Sequence, residues 1–411
     1  MVNARGRDAV SQSSTGAVDL PLDGVRVIDA SQMLAGPLCA MRLADLGADV
    51  IKVEPPGSGE FTRTHGFAGA SLSGRTTTFL GCNRGKRSAT VNLKVPDGLR
   101  TFTDLVRWAD VIVVNYRVGT AERLGIGHEQ LSEINPGIVY AQISGYGEDG
   151  PYVDRPGQDL IAQGYSGSMF SVGSRTDAPQ PGALWSADVM TGYQAAIGIL
   201  AALYERQRTG RGRKVSVNLL ASLMDCQAQE LVTYLNCGVA PERGSEPSAH
   251  ASIPGPYGVF RTSDDWITLA MAPLDRLSVA LDEPRLAAVP HPQSLDDKDE
   301  VQRLVAQRLA ESTTQHWLDT LIPMGFWLGP VYTYADLARD PHVAATGMLT
   351  SVDHPVAGVV HMPSPPLRFD GQALPIRRYP PELSEHTSEV LRDVLGYPEE
   401  RIAELRRSGA C

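Results

Sequence analysis

Short apolar runs separated by amphipathic stretches open the chain. Val25–Ile28, Val50–Val53, Val111–Val114 and Ile138–Ile143 are rich in β-branched residues and read as strands. Pro37–Leu46 and Leu99–Trp108 carry apolar residues at helical spacing and fall between those runs. Strands that are apolar throughout and separated by helices predict a parallel sheet covered on both faces. Leu46-Gly-Ala-Asp49 supplies the helix-ending glycine such a connection needs. Further on, Tyr193–Tyr204 predicts an apolar helix. It breaks at Thr209-Gly-Arg-Gly-Arg-Lys214 and gives way to a strand-like Val215–Leu219.

The pattern changes after Asp225. Residues Ala240–His250 form a Pro/Gly/Ser/Glu-rich loop without periodicity. Tyr257–Phe260 and Trp266–Met271 then predict a strand pair around Thr262-Ser-Asp-Asp265. Helical patterns occupy Leu274–Leu281, Val301–Glu311 and Thr314–Ile322, with a proline-rich acidic stretch at Pro284–Asp297. The organisation expected is a flexible tail over 1–19 and a large domain begun by 20–225. A smaller α+β domain follows over 226–328, and 329–411 returns to the large domain.

Composition narrows the class. A chain of 411 residues can bury a large core, and 42% hydrophobic with 20% charged residues is ordinary for a globular protein. A formal net charge of −10 argues against a general nucleic-acid binder, whose footprint is broadly basic. The five cysteines have neither CxxC nor metal-ligand spacing, so no metal is expected and reduced cytosolic thiols are. Apolar stretches such as Ala195–Leu203 fall short of the ~20 residues of a membrane span. Residues 1–19 lack the apolar core of a signal peptide, so the expected location is cytoplasmic.

The alternating pattern invites a nicotinamide dehydrogenase reading. The glycine fingerprint is missing: Ala30-Ser-Gln-Met-Leu-Ala-Gly36 follows the first strand, although Glu54 after the second could imitate a ribose-binding acid. Two other carboxylates stand out. Asp188 lies among small residues in Leu184-Trp-Ser-Ala-Asp-Val-Met-Thr-Gly192, just ahead of the apolar helix. It reads either as a helix cap, the commoner role at such a place, or as a nucleophile toward an activated carbonyl. Asp159, in Pro156-Gly-Gln-Asp-Leu-Ile-Ala-Gln163, offers the same cap reading.

A set of motifs in fixed order weighs the chemical reading more heavily. They include Leu22-Asp-Gly-Val-Arg-Val-Ile-Asp29, Ala35-Gly-Pro37 and Leu43-Ala-Asp-Leu-Gly-Ala-Asp-Val-Ile-Lys-Val-Glu-Pro-Pro-Gly57. Asn83-Arg-Gly-Lys-Arg-Ser88, Ala109-Asp-Val-Ile-Val-Val-Asn115, Arg123-Leu-Gly-Ile126 and the two Asp segments follow. Gly329-Pro-Val-Tyr332, Pro366-Leu-Arg-Phe369 and Glu385-His-Thr387 complete the series. Together they resemble the class III coenzyme A transferase family, which also contains 2-methylacyl-CoA racemases and CoA-dependent carnitine enzymes.

The resemblance implies a Rossmann-like large domain whose parallel sheet is built from N- and C-terminal segments, and a homodimer of interlocked rings. It implies no tightly bound cofactor, with a coenzyme A thioester and a small carboxylic acid as partners. Asp188 would carry the acyl group, and Asp159 would orient groups beside it. Met33, Ala35, Lys94, Asn115, Tyr116, Arg123 and Leu124 would contact CoA; Lys86 and Arg87 are further candidates, near a phosphate or simply exposed. His65, Trp185 and Phe326-Trp327-Leu328 are candidates for shaping the acyl pocket.

Racemases of the family place a His where this chain has Gln158, which cannot act as a general base near neutral pH. The mobile glycine run of oxalate and formate members is also absent; the nearest counterpart is Ile253-Pro-Gly-Pro-Tyr-Gly258. A non-catalytic, CoA-binding subunit of a mixed oligomer is the remaining alternative from another class.

Overall fold

The computed structural model describes residues 20–411, so the tail expected over 1–19 lies outside the described residues. Six strands form one parallel sheet: β1 (Arg26–Asp29), β2 (Asp49–Glu54), β3 (Lys86–Thr90), β4 (Val111–Val114), β5 (Val139–Ser144) and β6 (Lys214–Asn218). Their spatial order is β3-β2-β1-β4-β5-β6. The register sets Val27 beside Val50 on one side and Val111 on the other. The order reverses between β1 and β4, and a crevice opens at such a point beyond the carboxyl ends of the strands.

Period-two alternation divides these strands between two apolar layers. Val27, Val50, Val111, Val113, Val139 and Ala141 face α1 (Ala35–Asp45) and the later helix Ser186–Thr209. Ile28, Ile51, Ile112, Val114 and Tyr140 face α2 (Pro96–Trp108), Leu131 and Val390. Both layers are essentially dry, which is why the strands show continuous apolar runs in the sequence.

All six strands lie within residues 26–218, so the expectation of strands from a C-terminal segment is corrected. The chain end contributes clamps instead. The Ser88 N–H donates to His386 Nδ1 and the Thr90 N–H to Thr387 Oγ1, while the Asn92 N–H donates to the Ala410 carbonyl. The Glu385-His-Thr387 motif thus fastens the chain to the sheet edge without adding to it.

A separate core assembles on the antiparallel strands β7 (Tyr257–Arg261), β8 (Trp266–Ala270) and β9 (Trp327–Pro330), in order β9-β8-β7. Phe260, Ile267, Leu269, Trp317 and Phe326 are buried there against the helix Leu295–Leu309. That helix begins inside the proline-rich acidic stretch Pro284–Asp297, where Ser294 and Asp297 form a reciprocal cap. Gly329 and Pro330 pair with Thr268 and Ile267, so the Gly329-Pro-Val-Tyr332 motif starts on the edge of this sheet.

Candidate active site

Two loops meet over the crevice. The Gln32 N–H donates to Asn115 Oδ1 at 2.9 Å, and Asn115 Nδ2 returns a bond to the Gln32 carbonyl at 2.7 Å. This reciprocal pair ties the turn after β1 to the turn after β4. Met33 adopts a left-handed backbone with φ of 69°, a conformation that costs a non-glycine residue about 1 kcal/mol or more. Its N–H donates to Glu60 Oε2 at 3.2 Å.

Buried charge supports the turn from below. Lys86 Nζ lies 2.7 Å from Asp29 Oδ2, and Lys52 Nζ donates to the Ser31 carbonyl at 3.0 Å. Burial and the Asp29 carboxylate oppose each other at both lysines; the net direction is down for Lys86 and up for Lys52. The two ammonium groups hold Asp29 far below the usual carboxylate range against the cost of its burial. Lys86 is therefore buried in an ion pair and not exposed. Arg87 is likewise occupied, by Asp49 at 2.5 Å and Glu389 at 2.9 Å. Glu54 is buried and taken by Arg63 and Ser88, which leaves no open acid for a ribose.

A cavity of about 430 Å³ opens at this reversal point. Met33, Ala35, Asn115, Tyr116, Ser144, Tyr146, Gln158 and Asp188 line it, together with Arg117 and Arg155. The wall carrying Gln158 depends on two glycines. A Cβ on Gly145 would stand 2.5 Å from the Gly157 Cα, so only glycines let the loop after β5 touch the loop leading into α3 (Asp159–Ser166).

Asp188 is not a cap. The helix α4 spans Ser186–Thr209, its N-cap position is Trp185, and Asp188 lies in its first turn. First-turn N–H groups lack partners within a helix. The Asp188 N–H finds one in Asp159 Oδ1 at 3.1 Å, while Asp159 Oδ2 accepts from Gln163 Nε2 at 2.6 Å. Asp159 itself begins α3, whose N-cap is Gln158 with its side-chain oxygen on the Leu160 N–H. The second acid thus satisfies the helix carrying the first.

Asp159 is fully buried and Asp188 half-buried at the cavity wall. Burial foremost, then the Asp159 charge, push Asp188 up from 3.8 to about 7. The helix dipole acts in the opposite sense and is outweighed. Near neutral pH the carboxylate is therefore poised between its two forms, more basic and less solvated than a surface Asp. A carboxylate in that state, beside a crevice of this kind, can attack an activated carbonyl.

The family model described as CoA-transferase family III matches residues 22–387. The chain belongs to that family. Among relatives of this CoA-transferase family, the human succinyl-CoA:glutarate CoA-transferase is 34% identical, covering 95% of this chain and 89% of its own length. The succinyl-CoA–L-malate CoA-transferase beta subunit of Chloroflexus aurantiacus is 36% identical, covering 94% and 97%. A crystal structure of a CAIB/BAIF family protein from Brucella suis superposes with a TM-score of 0.78 at 32% identity, over 92% of this chain and 99% of that one.

The residues expected to contact CoA divide into two groups. Met33, Ala35, Asn115 and Tyr116 line the cavity with Asp188. Lys94 and Arg123 are exposed outside its lining, and Leu124 packs against the α2 layer of the core. Arg123 still reaches the rim, since its Nη2 donates at 2.8 Å to the hydroxyl of Thr120, a lining residue. His65 stacks on Phe61 at 4.0 Å, and Trp185 meets Phe67 edge-on at 5.8 Å; neither lines the cavity. Phe326 belongs to the core of the smaller sheet, whereas Trp327 is exposed.

Arg117, Arg155 and Tyr146 were missed as lining residues. Arg155 gave a usable signal: it is the cation in the Asp154-Arg-Pro-Gly157 turn that leads directly to Gln158 and Asp159. No cluster of metal-ligating side chains occurs among the described residues, and none of their helices is long and apolar enough to cross a membrane.

Proposed function

We propose that this enzyme transfers CoA from an acyl-CoA donor to a free carboxylic acid, with Asp188 as the acyl carrier. The observation that carries the reading is Asp188 itself: a carboxylate raised to about 7, held in the first turn of α4 and open to the crevice. One Asp188 oxygen attacks the thioester carbonyl carbon; the C–S bond breaks, and CoA thiolate leaves behind a mixed anhydride. The thiolate then attacks the Asp188 acyl carbon of that anhydride, releasing the donor acid and leaving an aspartyl-CoA thioester. The acceptor carboxylate repeats the two steps in reverse and departs as its own CoA thioester. No net proton or electron is consumed, and the thioester energy is kept at every stage.

Desolvation makes Asp188 the more reactive oxygen nucleophile once ionised, and a closed crevice keeps water from the anhydride. Asp159 acts as a positioning residue through the Asp188 N–H, and the positive end of α4 favours the oxyanions that develop above it. Met33, Ala35, Asn115 and Tyr116 follow the path of the thioester arm, with Lys94, Arg123 and Leu124 as contacts farther out. Gln158 lines the cavity where proton exchange would need a base, which favours transfer over racemisation.

The activities for which these relatives are named make succinyl-CoA the donor and a dicarboxylic acid the acceptor to try first. An interlocked homodimer belongs to the same proposal. It is supported by large apolar side chains left open on this chain, among them Tyr334 at 88%, Leu235 at 74% and Ile197 at 61% exposure.

The test is a steady-state assay with succinyl-CoA and a series of acids, in deuterated solvent. Acceptor-dependent appearance of the new thioester with parallel double-reciprocal lines is expected. Deuterium entering the α-carbon of a 2-methylacyl-CoA without any acceptor would replace this reading with proton exchange.

A further inference from the structure

We propose that Arg155 holds the distal carboxylate of a dicarboxylic acyl group, and that it selects dicarboxylic over monocarboxylic substrates. The proposal rests on the reading of Asp188 as acyl carrier.

Only two cationic side chains line the Asp188 cavity among the described residues, and they stand at different places. Arg117 follows Asn115 and Tyr116 in the turn after β4, on the wall assigned to the thioester arm. Arg155 belongs to a different segment, the loop that delivers Gln158 and Asp159, and Asp159 is bonded to the Asp188 backbone. Its position is thus tied through a short stretch of chain to the reacting carboxylate.

The Arg155 guanidinium is preorganised without being neutralised. It stacks over the Tyr152 ring at 3.8 Å, and its Nη1 donates to the Tyr165 hydroxyl at 2.7 Å. Tyr146, Tyr152 and Tyr165 brace one another with ring centroids 5.5 to 5.9 Å apart. No carboxylate among the described residues forms an ion pair with it, unlike Arg87, Arg84 and Arg63 elsewhere in the sheet region. An aromatic floor fixes the plane of the guanidinium, and the side chain stays exposed for a ligand to reach. Its remaining N–H groups form the planar fork that matches a carboxylate.

The chemistry explains why one such group suffices. In a double displacement the donor acid leaves and the acceptor enters the same acyl pocket. Each brings one carboxyl carbon to Asp188 and leaves its second carboxylate to be neutralised at the far end. A carboxylate brought into the crevice is favoured by a cation at its far end, whereas a methyl group there asks for none. The relatives named for succinyl-CoA with glutarate or L-malate handle acids that carry this second charge on both sides of the exchange.

The test measures labelling of Asp188 by glutaryl-CoA and by butyryl-CoA, in which hydrogen stands in place of the distal carboxylate. Rates come from intact mass after rapid quenching, in the wild-type chain and in R155Q, R155K and Y165F, with folding checked by thermal melting. The wild type should label faster with glutaryl-CoA, and the glutaryl-to-butyryl ratio should fall by about tenfold or more in R155Q. R155K should keep part of the preference and Y165F should lose a smaller part. A wild type without dicarboxylate preference, or an R155Q ratio unchanged while label still forms, overturns this proposal alone. Loss of labelling with both thioesters in R155Q and R155K alike would also overturn it, because that is not selection. If neither thioester labels wild-type Asp188, the covalent reading fails, and this inference falls with it.

Discussion

Replacing Asp188 with an amide removes a carboxylate that folding holds in an unfavourable place, and the size of that penalty depends on pH. Burial first, and Asp159 second, raise Asp188 from 3.8 in the open chain to about 7 in the fold. Below 3.8 both states hold the proton and the group contributes nothing to the pH dependence. Between those values the folded protein keeps a proton that the unfolded chain releases. Stability conferred by the protonated acid is therefore lost as pH rises, until the folded group itself ionises. Each pH unit in that window is worth about 1.4 kcal/mol, and the whole interval about 4 kcal/mol as an upper figure. The amide of D188N does not titrate, so the stability of that variant relative to wild type should climb by about 2 to 3 kcal/mol between pH 5 and pH 7, then level off. Urea unfolding across pH 5 to 8 at constant ionic strength reads this directly. Parallel stability curves for the two proteins would refute the reasoning, because they would show that Asp188 ionises as easily in the fold as in water.

The same carboxylate should impose an acid limb near pH 7 on kcat/KM. D159N should move that limb to lower pH without restoring 3.8, since burial is the larger cause; an unmoved limb would remove Asp159 from the account. N115A breaks both bonds to Gln32 and should weaken CoA binding by up to about thirtyfold by calorimetry, from about 1 kcal/mol for each bond. An unchanged dissociation constant would show that the crevice does not need that tie. K86M leaves Asp29 buried with one ammonium partner fewer and should cost about 3 kcal/mol or more in chemical denaturation. A loss below about 0.5 kcal/mol would mean that the cluster is more hydrated than its burial indicates.

Much of the sheet was legible because β1, β2, β4 and β5 carry apolar residues toward both layers. Val111–Val114 is read to the residue, and β1, β2, β5 and β6 differ by about a residue at their ends, whereas β3, polar apart from Ala89, is not read as a strand. The start of α4 was not legible. Ser186–Thr191 carries only Val189 and Met190 as larger apolar residues, and its first turn is completed by Asp159, a partner 29 residues earlier that periodicity does not register. The same blindness explains Lys86, Arg87 and Glu54. Each has a charged side chain of the kind usually solvated, and each is buried by a counter-charge that periodicity does not register, from distant segments for Lys86 and Arg87 and from Arg63 for Glu54. Asp188 drew attention through its motif. What the sequence could not supply was the fall in solvation and the second acid that change its basicity, because both arise only when α3 packs against α4.

The most direct test of the central claim is to trap the acyl-enzyme and locate it. The protein is mixed briefly with succinyl-CoA, quenched, and treated with hydroxylamine or borohydride before peptide mapping. The account predicts modification on the Leu184–Gly192 segment at Asp188, and none in D188N. A productive transferase in which Asp188 stays unmodified at every quench time, or in which the label sits on another side chain, would contradict it.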